Sequence, residues 1–298
     1  MGRGKKPEGR HFVGISGWTY KPWRGVFYPE GLAHRRELEY ASRKMGSIEI
    51  NGSFYSLQTP ASYARWRDET PPGFVFAVKG SRFITHMLKL KNPEVALANF
   101  FASGVLRLGD KLGPLLWQFP ERMPTDLERY ARFLDLLPKT HEAAAELARG
   151  HDARLEGRSW TGAEASGPLR HAFEIRHPGL MGPDFVALLR QHGAALVFAD
   201  TAGRWPYAED VTADFVYVRL HGAEQLYASG YTDPQLDWWA ARIAEWKRGA
   251  QPADAACVAT GGPPACRGGR DVYVYFDNDA KVHAPFDALR LRERLDAA

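Results

Sequence analysis

Eight short β-rich runs, each followed by a helical pattern or a long crossover, restrict the fold of this 298-residue chain more than any other feature. They are His11–Gly17 (HFVGISG), Ser47–Asn51 (SIEIN), Phe74–Lys79 (FVFAVK), Leu112–Gln118 (LGPLLWQ), His171–Arg176 (HAFEIR), Ala194–Asp200, Phe215–His221 (FVYVRLH) and Asp271–Asn278 (DVYVYFDN). Helical spacing covers His34–Met45, Pro60–Glu69, Pro93–Leu108, Asp126–Leu137, His141–Arg149, Asp184–His192, Asp233–Trp246 and Pro285–Leu295. Pro60 falls in a first turn, where its missing N–H costs nothing. Asn92 is the expected N-cap of the third helix and Asp233 that of the seventh. Gly150–Arg170 reads as a loop, and the stretch after the sixth strand has only weak helical signal.

Strands joined by such crossovers run parallel, and eight is the number that closes a barrel. The competing open sheet wants a Gly-rich phosphate turn after its first strand, and Gly14-Ile15-Ser16-Gly17 lacks that spacing. The expected fold is a single TIM-type (β/α)8 barrel over residues 11–298. A flexible basic leader, 1–10, precedes it, and a low-complexity insertion, 251–270, stands before the last strand. With many Gly and Pro and few apolar anchors, that insertion is expected to be mobile and dispensable.

Composition narrows the class. A hydrophobic content of 45% with 25% charged residues is ordinary for a soluble globular protein, and the net charge of +4 is modest. Arg3, Lys5, Lys6 and Arg10 carry much of that excess in a tail that reads as frayed rather than as a nucleic-acid arm. No apolar run approaches the roughly 20 residues of a membrane span, and the leader has no secretory core. A cytoplasmic protein with no membrane partner is expected; the sequence sets no oligomeric state. Cys257 and Cys266 have no histidines beside them for a zinc site, and in a reducing compartment they are expected to stay thiols.

The strand ends, where barrels of this kind carry their sites, are polar in every strand. They supply Ser16, Glu49 with Asn51, Lys79, Gln118, Glu174 with Arg176, Asp200, Arg219 with His221, and Asp277 with Asn278. Period-2 alternation aims Glu49 and Asn51 opposite to Ile48 and Ile50, and Tyr217, Arg219 and His221 opposite to Val216 and Val218. Buried carboxylates are costly unless paired or used. The candidate catalytic residues are therefore Glu49, Lys79, Glu174 and His221. Trp18, Asn51, Tyr55, Gln118, Arg176, Asp200, Arg219, Asp277 and Asn278 are the candidate binding residues. A plain ion-pair lattice is the competing account: Glu174 with Arg176, and Lys79 neutralising Glu49.

Six motifs in order resemble one family. They are Ser-Gly-Trp at 16–18, Glu-Ile-Asn-Gly-Ser-Phe-Tyr at 49–55, Lys-Gly-Ser-Arg at 79–82, Leu-Gly-Pro-Leu-Leu-Trp-Gln-Phe-Pro at 112–120, Phe-Glu-Ile-Arg-His-Pro at 173–178 and Tyr-Val-Arg-Leu-His-Gly at 217–222. Together they resemble the domain of unknown function 72 family, also called YecE-like, from about Phe12 to Leu295. The resemblance implies a TIM barrel and no known activity. Many members show Asn-Asn where this chain has Asp277-Asn278, which adds a carboxylate to the mouth.

Three functions fit these residues. The first is a hydrolase-type, phosphodiesterase-like enzyme, with Lys79, Arg176 and Arg219 holding a phosphate-bearing substrate and His221 or Glu49 moving the proton. Next is a non-catalytic binder of a nucleotide or nucleic acid that stacks bases on the aromatic loops. Last is a carbohydrate-active enzyme with Glu49 and Glu174 as acid and base. No cofactor is required by the sequence. A divalent metal on Glu49, Glu174, Asp200 and Asp277 is compatible with the residue types but lacks a tight ligand motif. A functional site further implies that Lys79→Met and Glu49→Gln each retain or raise stability.

Overall fold

Alternation along each strand sorts side chains between two cores, and that sorting closes the sheet. The computed structural model describes residues 8–266 and 268–297. Its strands are β1 His11–Ser16, β2 Ser47–Ile50, β3 Val75–Lys79, β4 Leu112–Gln118, β5 His171–Glu174, β6 Ala195–Asp200, β7 Phe215–Leu220 and β8 Asp271–Phe276. They form a closed barrel in sequence order, with parallel neighbours all round, including β8 against β1. Helices α1 Glu37–Lys44, α2 Gly52–Tyr55, α3 Pro60–Glu69, α4 Glu94–Ala102, α5 Leu127–Leu136, α6 His141–Ala148, α7 Pro183–His192, α8 Asp233–Lys247 and α9 His283–Ala297 accompany the barrel. This is the single TIM-type barrel expected from the alternation.

Val13, Ile15, Ile48, Ile50, Phe76, Val78 and Trp117 face outward into the layer beneath the helices. The inward positions form a separate cluster that includes Phe12, Ala77, Leu116, Ala172, Phe215, Tyr217, Tyr273 and Tyr275. Small residues on β3, β5 and β6 share the lumen with tyrosines on β7 and β8, so the large side chains fill the volume the small ones leave. Buried tyrosine hydroxyls need partners, and Tyr275 finds Ser47 Oγ at 2.7 Å.

Several local expectations change. The helix expected over Pro93–Leu108 ends at Ala102, because Gly104 takes φ +107° and a Cβ there would lie 2.4 Å from Pro60 Cα. Asn92 is not its N-cap; it adopts φ +46°, and Pro93 occupies the cap position. Thr232, not Asp233, caps α8, in a capping box with Gln235. Most strands stop one or two residues early, so Asn51, Arg176, His221 and Asp277 stand just beyond the ladder.

The leader falls largely outside the described residues, which begin at Glu8. Gly9 donates to Lys247 O at 2.9 Å, and Arg10 N–H to Asp271 Oδ1 at 2.9 Å. Cys257 and Cys266 are free thiols. No described helix is long and apolar enough to cross a membrane.

The insertion before β8 has no regular structure but is anchored by hydrogen bonds. Buried Glu209 accepts from Ala256 N–H at 2.9 Å, and buried Asp210 from Val258 and Ala259 N–H at 2.8 and 3.1 Å. Gln251 Nε2 donates to Glu209 O at 2.7 Å. Apolar periodicity could not reveal this, because the anchors are backbone amides meeting carboxylates some 47 residues away. Replacing 251–259 by a Gly/Ser linker should therefore cost about 2–3 kcal/mol, the scale of one or two lost charge-assisted hydrogen bonds, with water taking the place of the rest. Urea denaturation reads this directly, and an unchanged midpoint would show the anchors to be idle.

Candidate functional site

Arg219 is the centre of the barrel mouth. It lies on β7 in register with Tyr275, is fully buried, and cannot lose its proton, so its five donors must all find acceptors. Glu49 takes two of them, at 3.1 Å from Nε and 2.8 Å from Nη2. Glu174 accepts from Nη1 at 2.7 Å and Asp277 from Nη2 at 2.9 Å. Ser16 Oγ lies 3.0 Å from Nη2 and donates to Glu49 at 2.5 Å, while Tyr217 OH donates to the other Glu49 oxygen at 2.6 Å. Every oxygen of Glu49 is satisfied inside the protein.

Around this hub the charges titrate in opposite directions. Burial opposes ionisation of Glu174 and Asp277, yet Arg219 holds both well below the usual carboxylate range; Arg176 adds to the effect on Glu174. His221 is buried and pushed down, first by burial and then by Arg219. Its Nε2 accepts from Arg219 Nη1 at 3.3 Å, which leaves the proton on Nδ1, 3.1 Å from Asp277 Oδ2. Arg176 pairs with Glu174 at 2.9 Å and stacks on Trp205, 3.5 Å from guanidinium carbon to ring centroid.

Above the hub opens a cavity of about 560 Å³, lined by Tyr20, Asn51, Phe54, Tyr55, Lys79, Arg82, His86, Gln118, Arg176, Tyr227, Asp277 and Asp279. Lys79 ends β3 and is buried. Gly80 follows because a Cβ there would strike the Trp117 ring at 2.3 Å, and Lys79 O accepts from Ser53 Oγ at 2.6 Å. Its ammonium rests on the Phe54 ring, 4.3 Å from the centroid. Among the described residues it has no carboxylate within 4.0 Å. Burial, and then Arg219, push the amine down to about 8. Asp279 moves the other way, to about 6, through burial and then Asp277. Burial and Lys79 push His86 down to about 4, so it is neutral here. Asn51 donates to Ser16 Oγ at 2.7 Å, while its Oδ1 is buried and without a partner among the described residues.

The chain is similar to known proteins over most of its length. The family model described as "Protein of unknown function DUF72" matches residues 12–298. The chain belongs to the DUF72 family. The UPF0759 protein YecE of Escherichia coli K12 is 27% identical over 128 residues, covering 43% of this chain and 44% of that one. YunF of Bacillus subtilis 168 is 27% identical over 114 residues, covering 37% and 39%. The matched region thus spans less than half the length of these relatives. A solved DUF72 protein from Thermotoga maritima superposes with a TM-score of 0.72 at 23% identity, over 96% of this chain and 99% of that one. One from Enterococcus faecalis V583 gives 0.65 at 14% identity, over 97% and 99%. These two likenesses concern the fold.

In this DUF72 chain the mouth gathers Glu49, Asn51, Lys79, Gln118, Glu174, Arg176, Arg219, His221 and Asp277, as the strand ends implied. Glu49, Glu174 and His221 lie in the buried floor, taken up by Arg219, so neither glutamate is placed to be an acid or base toward a sugar. Three expected binding residues lie elsewhere. Asp200 is in register with outward-facing Leu220, while inward Ala199 pairs with Arg219; its carboxylate accepts from Tyr231 OH at 2.9 Å. Asn278 is one residue past inward-facing Asp277 and bonds Ser229 O and Asp287 Oδ2, both at 2.9 Å. Trp18 packs edge-on against Trp66, 5.3 Å away, in an aromatic side pocket of about 320 Å³. That pocket shares Tyr20, Asn51 and Tyr55 with the main cavity.

Sequence reasoning missed Arg82, His86, Trp205, Tyr227 and Asp279 as site residues. Asp279 was within reach, because it continues the parity of Tyr275 and Asp277 past the strand end. Tyr227 carried no signal. It enters from a loop at φ +62°, a left-handed conformation rare for a bulky residue and most often kept where a site requires it. Among the described residues, no group of three or more His, Cys, Asp and Glu side chains is arranged to hold a metal ion.

Proposed function

We propose that this DUF72 protein is an enzyme whose mouth cavity binds a small anionic substrate, phosphate-bearing in the simplest case, and that Lys79 is the group that reacts. The observation that carries this reading is the buried Lys79 ammonium with no carboxylate within 4.0 Å among the described residues, facing a cavity of ligand size. Exposed Arg82 on the same cavity makes no ion pair among the described residues, and a bound anion would give both cations a partner. The hydrolase-type chemistry suggested by the strand ends put the weight on Glu49 and His221. Their enclosure by Arg219 moves that weight to Lys79, an amine with an appreciable neutral fraction near pH 8.

Calorimetric titration with sulfate, which keeps its charge over the whole range, tests the anion site. Arg82→Met should leave folding intact and weaken binding about tenfold, the worth of one charge-assisted hydrogen bond. Affinity should fall as pH rises through about 6, where Asp279 gains its negative charge, and again through about 8, where Lys79 loses its positive one. His86 stays neutral and Asp277 ionised across that window. No sulfate binding at millimolar concentration, or binding insensitive to Arg82, would refute the reading.

A further inference from the structure

Lys79 differs from Arg176 and Arg219 in what surrounds it. Arg176 and Arg219 are neutralised by direct carboxylate contacts, whereas the Lys79 ammonium meets an aromatic face. The strongest single charge acting on it is repulsive, from Arg219, and Glu49, Glu174 and Asp277 oppose it at longer range, yet burial and Arg219 prevail. A lysine desolvated beside a second cation has its free amine favoured, and the free amine is the nucleophile. Its position is also rigid, with the Ser53 hydrogen bond behind it and Gly80 wedged against Trp117.

We propose that the Lys79 amine forms an imine with the carbonyl group of a small anionic aldehyde or ketone held in the cavity. The proposal rests on the anion-binding reading, since the substrate's charge is what delivers the carbonyl to Nζ. In the first step the Nζ lone pair attacks the carbonyl carbon. The C–N bond forms, the C=O π pair moves to oxygen, the oxygen takes a proton and nitrogen releases one. In the second, the carbinolamine oxygen takes another proton and leaves as water while the nitrogen pair closes the C=N bond. Overall one amine, one carbonyl and one proton give one iminium and one water, with no redox change.

The cavity suits both steps. Asp279, with a carboxyl poised at about 6, lines it and can lend and retrieve protons near neutral pH. The iminium charge replaces the ammonium charge over the Phe54 face, so the product needs no new counter-ion. A free cavity of about 560 Å³ accommodates a substrate of several carbons with its anionic group.

Borohydride trapping followed by peptide mass mapping tests this on the wild-type protein, with dihydroxyacetone phosphate and pyruvate as probes. The expected result is an adduct on Lys79 equal to the probe's mass less one oxygen. It should form at least tenfold faster than on exposed lysines and be absent in Lys79→Arg, which keeps the charge but cannot form the imine. Inorganic sulfate should slow trapping. Labelling confined to other lysines, or none with either probe, overturns the proposal. If sulfate binds by calorimetry while Lys79 stays unlabelled, the imine fails and the anion site stands. A Lys79 adduct without sulfate binding keeps the imine and removes the anion reading, and absence of both removes both.

Discussion

Glu49→Gln should lower the unfolding free energy by about 3–5 kcal/mol, and Arg219→Met by at least as much. Glu49 is fully buried and receives Ser16, Tyr217 and two Arg219 donors. A glutamine in its place turns an NH₂ toward donors on one side and leaves Arg219 undercompensated. Removing Arg219 is worse, since it strands Glu49, Glu174 and Asp277 together, the two glutamates where water does not reach. The expectation that Glu49→Gln would retain or raise stability, drawn from the strand ends alone, is therefore reversed: at the floor the ion-pair lattice is real. Urea midpoints followed by tryptophan fluorescence measure both variants. A Glu49→Gln midpoint equal to wild type would sink this account of the floor.

Lys79→Met should do the opposite and raise the unfolding free energy at pH 7 by about 1–2 kcal/mol, and the urea midpoint with it. The folded-state amine sits near 8 against an ordinary 10.5, so charging it in the folded protein is penalised by roughly 3 kcal/mol. Loss of the contact with Phe54 returns about 1 kcal/mol of that gain. The sign with pH follows from the lowered value. Below about pH 8 both folded and unfolded chains carry the charge and the full penalty applies. Between about 8 and 10.5 the folded chain is neutral while the unfolded one still binds a proton, so the penalty fades. Above 10.5 both are neutral and it is gone. The stability gap between Lys79→Met and wild type should thus be widest at pH 7 and shrink steadily toward pH 10.5. A gap that grows with pH, or a variant less stable than wild type at pH 7, would mean that Lys79 has a counter-charge and is part of the lattice.

Glu49→Gln and Lys79→Met are thus expected to divide the mouth into a floor that stabilises the barrel and a buried amine that destabilises it. A single description of the strand-end charges, as all lattice or all site, misses that division. The lattice account was right for Glu174 with Arg176, which pair at 2.9 Å, and failed for Lys79 with Glu49.

The sequence by itself determined the number and order of the strands, the closed parallel barrel and the set of residues standing at the strand ends. Those follow from local rules: a period of two within a strand, crossovers too long for hairpins, and polar residues where the ladder stops. Motif order likewise carried the family. Only the tertiary structure decided which charges cancel. Glu49 and Arg219 are 170 residues apart, so their pairing is a property of barrel closure and has no local signature. Parity also weakens past the last ladder bond, which is why Asp200 and Asn278, one residue out of step with Ala199 and Asp277, turned away from the cavity while Asp279 turned toward it. Burial did the rest, since an amine's readiness to react depends on what water and which charges its neighbours leave it, and the chain alone does not state its neighbours.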